Sequence, residues 1–243
     1  MTVFLTSSPT MDSFEIPPVP ALFPHNQFIQ QLQRRWKPSN RCLMIAATPD
    51  IHPENDEMTD YFRRAFQNAQ LPSLCFELWD DRRPLLTREQ LHCYDVILLA
   101  GGHVPTQRRW FEQIALRELL VGFSGIVIGI SAGSMNAARN AYAWPEREGE
   151  STDPSHQLFF RGLGLANTIV LPHYQKMKGS WLDGRRLFED ITCSHSFGRR
   201  FYAIPDGSYV LVEDGRETLY GEADLITQGT IRPFCAHGQQ KIL

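Results

Sequence analysis

The segment Gly129-Ile130-Ser131-Ala132-Gly133 holds the residue pattern in this chain best suited to chemistry. It follows the apolar run Ile126-Val127-Ile128 and precedes Met135-Asn136-Ala137-Ala138, so the serine falls where a strand hands over to a helix. A sharp strand-to-helix turn strains the serine backbone, and flanking glycines relieve the crowding. The hydroxyl is thereby presented to open space, and the amide that follows faces any oxyanion that develops. The competing reading is a serine that only caps the helix. The placement favours a nucleophile.

A serine hydroxyl needs a base, and the base needs an orienting acid. Of the eight histidines, His25, His52, His92 and His156 lie in polar or proline-rich surroundings, and His195 follows a predicted helix end. His173 ends an apolar run after Pro172, and His237 lies in the final strand-and-turn region; both stand as candidate bases. Asp206, in Ile204-Pro205-Asp206-Gly207, is the leading acid, although Pro-Asp-Gly is also ordinary turn chemistry. Glu213 and Asp214 are alternatives with the look of hairpin residues. Gly101-Gly102 closes another apolar run and can donate a backbone amide, or can simply stop the strand. No GxxxxGK[ST] or GxGxxG element and no close His/Asp/Glu cluster occurs, so neither a nucleotide, a metal nor any other cofactor is expected.

These residues need strands that end at one edge. Apolar runs predict strands at 3–5, 41–47, 73–78, 96–100, 125–130 and 168–171. Shorter strands are predicted at 201–204, 209–212, 218–220 and 225–227, with a hairpin at Glu213-Asp214-Gly215. Helical spacing predicts helices over 26–36, 54–69, 106–120, about 134–144 and 184–192, and prolines crowd a loop over 17–24. Strands alternating with helices imply parallel pairing through crossovers, and continuously apolar strands imply cover on both faces. Ligands in such sheets gather at the carboxyl ends of strands. Gly101-Gly102-His103, Ser131 and His173 all fall at such ends, and Asp206 lies just past one.

The chain has 243 residues, 42% hydrophobic and 21% charged, with no linker-like tract in its middle, which predicts one domain over 1–243. A formal charge of -3 and no basic stripe beyond scattered arginine doublets argue against a nucleic-acid partner. No run approaches the roughly 20 apolar residues of a membrane helix, and the amino terminus lacks the basic start of a signal peptide. Five scattered cysteines without a CxxC fit reduced thiols, buried at Cys42 and Cys75, in a cytoplasmic enzyme.

The same residues, in this order, resemble the S51 peptidases, the family of dipeptidase E and cyanophycinase. The likeness runs from Val3-Phe4-Leu5-Thr6-Ser7 to about Gly221. Gly129 to Gly133 matches the family's nucleophile turn, Gly101-Gly102 its Gly-Gly strand end, Pro172-His173-Tyr174 its Pro-His-aromatic segment, and Pro205-Asp206-Gly207 its acid turn. The resemblance implies a three-layer α/β fold like class I glutamine amidotransferases, with a mostly parallel sheet, helices on both faces and extra short strands near the C-terminus. It implies peptide-bond cleavage through an acyl-enzyme, with Ser131 as nucleophile, His173 as base, Asp206 as acid, and Gly102 and Ala132 as oxyanion donors. It also implies a short peptide as partner and leaves a homodimer open. His103 stands where the dipeptidase has Asn, and Asp206 where it has Glu. Substrate contact is expected at His103, Tyr174 and Arg186, with Lys176, Lys178 and Arg185 as further candidates for a basic residue that selects a side chain.

Overall fold

The structure is a computed structural model and describes residues 1–11 and 19–243. The start of the proline-rich loop expected at 17–24 lies outside the described residues. Five parallel strands form the heart of the main sheet: β1 (Thr2–Thr6), β2 (Arg41–Ile45), β3 (Cys75–Trp79), β4 (Val96–Leu99) and β5 (Ile126–Ile130), in the order β1-β5-β4-β2-β3. Four of them, all but β3, are almost wholly buried because apolar residues alternate into cores on both faces. Val3, Leu5, Leu43 and Ile45 enter one core; Phe4, Cys42 and Met44 enter the other. The result is a mixed α/β fold with a mostly parallel central sheet between layers of helix.

The helices of this half are α1 (Phe28–Gln33), α2 (His52–Asn68), α3 (Arg88–Leu91), α4 (Val104–Gln113), α5 (Leu116–Leu119) and α6 (Ala132–Ala137). In α2, Asn55, Thr59, Phe62 and Phe66 recur at helical spacing and face the sheet. Helix α1 is shorter than its pattern predicts because Asn26 and Gln27 take left-handed backbone angles and delay its start. The helix predicted at 106–120 is two helices. Ala115 breaks it with φ 51°, and Ile114 and Leu116 on either side are both buried.

The second half departs further from its periodicity. The helix predicted to reach 144 stops at Ala137, and the chain turns into β6 (Asn140–Tyr142), which pairs with β7 (Phe159–Arg161). Aromatic packing explains the switch: the extended chain stacks Tyr142 against both Phe159 and Phe201, which also lie near-parallel to each other at 6.4 Å. After β8 (Ile169–Leu171) comes α7 (Tyr174–Met177). The helix predicted at 184–192 divides into a hairpin of β9 (Trp181–Leu182) and β10 (Arg185–Arg186) and a stretch of π-helix at Leu187–Thr192, followed by α8 (Cys193–His195). Asp183-Gly184, both at positive φ, supplies the tight turn that the helical reading overlooks.

Strand β11 (Phe201–Ala203) lies parallel to β8 in a second sheet, completed by β14 (Ala223–Thr227) and β15 (Thr230–Cys235). Strands β12 (Tyr209–Glu213), β13 (Arg216–Tyr220) and β16 (Gln240–Ile242) extend the main sheet antiparallel beyond β1. The predicted hairpin at Glu213-Asp214-Gly215 joins β12 to β13, with positive φ at Asp214 and Gly215. Cys42 is buried as expected, whereas Cys75 is only half-buried. Among the described residues no helix is long and apolar enough to cross a membrane.

The two glycines around Ser131 are sites of close approach. A Cβ on Gly133 would stand 2.2 Å from the Leu99 carbonyl oxygen, and one on Gly129 would stand 2.8 Å from the Ser134 backbone. Helix α6 thus lies directly on β4 and β5, which brings its first turn to the ends of those strands. Gly133→Ala is expected to destabilise the fold by about 2 to 3 kcal/mol through overpacking against backbone. Gly179→Ala, which meets nothing within 4 Å, is expected to stay within about 0.5 kcal/mol of the parent. Urea denaturation of both variants measures the difference.

Candidate active site

Ser131 follows β5 directly and has φ 51° and ψ -112°, a backbone conformation that L residues rarely adopt. Its N–H is held by the carbonyls of Thr6 (3.1 Å) and Ser7 (2.8 Å) at the end of β1. Ser134 Oγ donates to the same Thr6 carbonyl at 2.7 Å, which ties α6 to β1 as well. The strain expected of the turn is therefore present, with the hydrogen bonds that hold it.

His173 follows β8 and Asp206 lies just beyond β11, so the parallel pairing of those two strands sets the two residues side by side. His173 takes φ 56°, and its N–H donates to Ser7 Oγ at 2.7 Å. Its Nδ1 lies 2.7 Å from Asp206 Oδ1, and its Nε2 lies 2.9 Å from Ser131 Oγ. An ionised carboxylate can only accept, so Nδ1 carries the proton and Nε2 presents its lone pair to the serine hydroxyl. That arrangement can draw the hydroxyl proton onto the ring while the carboxylate steadies the charge that forms.

The Asp206 side chain is only 7% exposed. Burial pushes its carboxyl up, but hydrogen bonds from His173, Ser7 and Lys176 outweigh it and hold the group well below the usual carboxylate range. Oδ1 accepts from Ser7 Oγ (2.6 Å), the Ser8 N–H (3.1 Å) and His173; Oδ2 accepts from Gln175 Nε2 (2.6 Å) and Lys176 Nζ (3.1 Å). Gln175 completes a reciprocal pair by accepting the Asp206 N–H at 3.0 Å.

Gly101 and Gly102 follow β4 on the other side of Ser131. A Cβ on Gly101 would stand 3.4 Å from Ser131 Cβ, and one on Gly102 would stand 2.6 Å from Ala47 Cβ, so the bare backbone passes close beside the serine. Ala132 opens α6, where a backbone N–H has no carbonyl one turn back to bond. Both N–H groups belong to the segments that flank the serine hydroxyl.

The residues expected to meet substrate already have partners. His103 Nδ1 lies 2.9 Å from Thr106 Oγ1, and its Nε2 lies 3.1 Å from Glu150 Oε1. Burial, with the Arg147 charge nearby, pushes the imidazole below its ordinary value. Tyr174 is buried edge-on to Phe188. Arg186 is paired with Asp190 through two bonds of 3.0 and 2.6 Å, and Arg185 bonds the Ser151 carbonyl at 2.9 Å. His237 stands against His25, with ring centroids 5.6 Å apart, and not at the serine. Sequence reasoning missed Ser7, Ser8 and Gln175 as partners of the site, because none belongs to a pattern that marks it. The nearest signal is the opening segment Val3-Phe4-Leu5-Thr6-Ser7, where the family likeness begins. Among the described residues no three His, Cys, Asp or Glu side chains form a group that could hold a metal ion.

The family model of peptidase family S51 matches residues 25–220, a span that includes Ser131, His173 and Asp206. No curated protein matches the chain. A peptidase from an acI-B1 Actinobacterium has a similar solved structure, with a TM-score of 0.60 and 16% identity over 100% of this chain and 96% of that one. A protein designated a peptidase E, from Listeria monocytogenes EGD-e, gives a TM-score of 0.57 and 15% identity over 96% of this chain and 98% of that one. At such identities the two structures speak for the fold, and the family match speaks for the chemistry. This chain belongs to peptidase family S51 and is a serine-type peptidase.

Proposed function

We propose that the chain is a peptidase of the dipeptidase E type, which cleaves short peptides through an acyl-enzyme on Ser131. The observation that carries this reading is the His173 imidazole, 2.9 Å from Ser131 Oγ on one side and 2.7 Å from Asp206 on the other. In the proposed mechanism Ser131 Oγ attacks the scissile carbonyl carbon as His173 Nε2 takes its proton. The carbonyl oxygen becomes an oxyanion and receives the N–H groups of Gly102 and Ala132. The C–N bond then breaks, His173 returns the proton to the departing amine, and the acyl group stays on Ser131. Water, deprotonated by the same imidazole, attacks the ester, and Ser131 regains its proton as the acid product leaves. Asp206 stays ionised throughout and holds the ring in the productive tautomer.

The formal charge of -3 and the lack of a basic stripe support a peptide over a nucleic-acid partner. All five cysteines are free, which fits a reducing compartment, and a cytoplasmic location is part of the same proposal. A second reading, an α/β-hydrolase-type esterase with Ser131, Asp206 and His237, needs His237 as its base, and the position of that ring beside His25 does not favour it.

Ser131→Ala and His173→Ala are each expected to lower turnover of a cleaved dipeptide by about 10³-fold or more, with His237→Ala at parental turnover. A panel of dipeptides and aminoacyl amides with acidic and neutral first residues, together with a fluorophosphonate probe, reads this out. A missing adduct at Ser131 in folded protein, or a loss confined to His237→Ala, would overturn the assignment. Backbone strain gives a second expectation. Ser131→Gly should be inactive yet about 1 kcal/mol more stable than Ser131→Ala, because glycine accepts the positive φ; thermal and urea unfolding compare the pair.

Asp206 adds a pH dependence. Its folded carboxyl lies below the ordinary value of about 3.9, so it stabilises the fold above about pH 4 and loses that contribution as pH falls through its depressed folded value. Against Asp206→Asn, the stability advantage of the parent is expected to be largest above about pH 4 and to shrink below it. A difference that does not change with pH in urea titrations would contradict this. The same variant should lose about 10³- to 10⁴-fold in kcat through the wrong imidazole tautomer.

A further inference from the structure

A cavity of about 960 Å³ opens at the amino ends of β8 and β11, the ends opposite those that lead to His173 and Asp206. Its walls include the segment before β11, the turn between β12 and β13, and β16. Three guanidinium groups line it, those of Arg199, Arg200 and Arg216. In a chain of net charge -3 this is a local concentration of positive charge.

Arg199 is held in place by a stack. Its guanidinium carbon lies 3.9 Å from the centre of the Phe159 ring. Phe159 stacks on Tyr142 at 5.0 Å, and Tyr142 on Phe201 at 4.6 Å, so the plane that carries Arg199 is anchored in the core. Stacking fixes the plane of a guanidinium and leaves its in-plane N–H groups available for an oxyanion. Here one of those groups makes a long bond of 3.4 Å to the Phe197 carbonyl. Arg200 and Arg216 are exposed and make no ion pair among the described residues.

Glu217, the one acidic side chain on the lining, is turned to the chain. Oε1 accepts the Asn167 N–H at 2.6 Å, and Oε2 accepts the Thr168 N–H at 2.9 Å and the Thr168 hydroxyl. Its lone pairs serve the entry to β8, and the three arginines keep their charge for something else. The stack preorganises the Arg199 guanidinium, so less ordering remains to be done there when a ligand binds, and Arg200 and Arg216 add flanking charge. The volume is that of a small-molecule site.

We propose that this cavity binds a small molecule carrying two or more oxyanion groups, phosphate or carboxylate, with Arg199 as the bidentate contact and Arg200 and Arg216 as the flanking charges. This site is separate from the peptidase centre and does not rest on the function proposed for it.

Isothermal titration of the full chain with inorganic pyrophosphate in one arm and citrate in the other tests the assignment. One saturable site per chain is expected in at least one arm, and the arm that binds identifies the source of the oxyanion. Arg216→Ala and Arg199→Lys should each weaken that binding about tenfold or more, since a point charge cannot replace a stacked fork. Ser131→Ala should bind as tightly as the parent. Arg200→Ala and Arg216→Ala change exposed side chains, and their thermal unfolding checks that the fold is intact should Arg199→Lys disturb the stack. No saturable binding in either arm, or equal affinity in all three arginine variants, overturns the proposal.

Discussion

The Ser7 hydroxyl stands 2.6 Å from Asp206 Oδ1 and 2.7 Å from the backbone nitrogen of His173, while the Ser7 carbonyl takes the N–H of Ser131 at 2.8 Å. A hydroxyl has one proton to donate and two lone pairs to accept with, so this one residue can hold Asp206, His173 and the Ser131 turn at once. The need for such a tie comes from the topology. Ser131 belongs to the main sheet, at the end of β5, whereas His173 and Asp206 belong to the ends of two strands of the second sheet. The β8–β11 ladder fixes the latter pair relative to each other. Their distance from the serine needs a separate constraint, and the end of β1 supplies it. Strand β1 is paired with β5 from Thr2↔Ile126 to Thr6↔Ile130, so its end moves with Ser131. Beyond that pairing it also bonds the acid turn, through Gly207 N–H to the Ser8 carbonyl at 3.0 Å.

Holding the site this way has costs that the cores must offset. Ser131 and His173 both sit at positive φ without being glycine, and sparsely populated backbone conformations of this sort cost of order 1–3 kcal/mol each. A buried carboxylate adds a desolvation penalty unless its lone pairs are filled. Five donors fill them at Asp206. In the proposed mechanism the same five would let an aspartate stand where the resemblance leads one to expect a glutamate. The Pro205-Asp206-Gly207 turn is tied by Asn26 Nδ2, which bonds the Gly207 carbonyl at 2.9 Å, and the Phe23 ring lies so close that a Cβ on Gly207 would stand 3.0 Å from it. The shorter side chain is thus met by a turn fastened from both sides.

The parts of this arrangement legible in the sequence are those encoded locally. Apolar runs marked the parallel strands of the main sheet and β8 of the second to within a few residues, and the positions after their carboxyl ends pointed to Ser131, His173 and the Gly101-Gly102 backbone. The helical pattern at 134–144 misled because Tyr142 is claimed by Phe159 and Phe201, which lie about 20 and 60 positions further along the chain, and long-range packing overrides periodicity. At 184–192 the positive φ of Asp183 and Gly184 outweighed a run of helix-compatible residues. Ser7 was invisible for a different reason: its role exists only once β1, β8 and β11 are assembled. Likewise the pattern could suggest that His103 and Arg186 are polar and well placed, but not that Glu150 and Asp190 already occupy them.

Those occupied side chains bear on how an acidic substrate group could find a cation on the segment after His173. Lys176 is bound to a carboxylate with almost no exposure, and removing it would leave charge uncompensated beside the imidazole. Arg185 supports the backbone of the loop at Ser151. The Arg186–Asp190 pair is different, with side chains 50% and 34% exposed. Exposed ion pairs contribute about 0–1 kcal/mol, so an incoming carboxylate can exchange with Asp190 at little net cost. Among the described residues the Lys178 ammonium lies over the Tyr174 ring at 5.3 Å and makes no ion pair, a contact of similar weight at an exposed site. Position along the chain makes all four residues look equivalent. Their partners rank them, and the ranking leaves Arg186 and Lys178 as the cations that can change partner without disturbing His173 or Asp206.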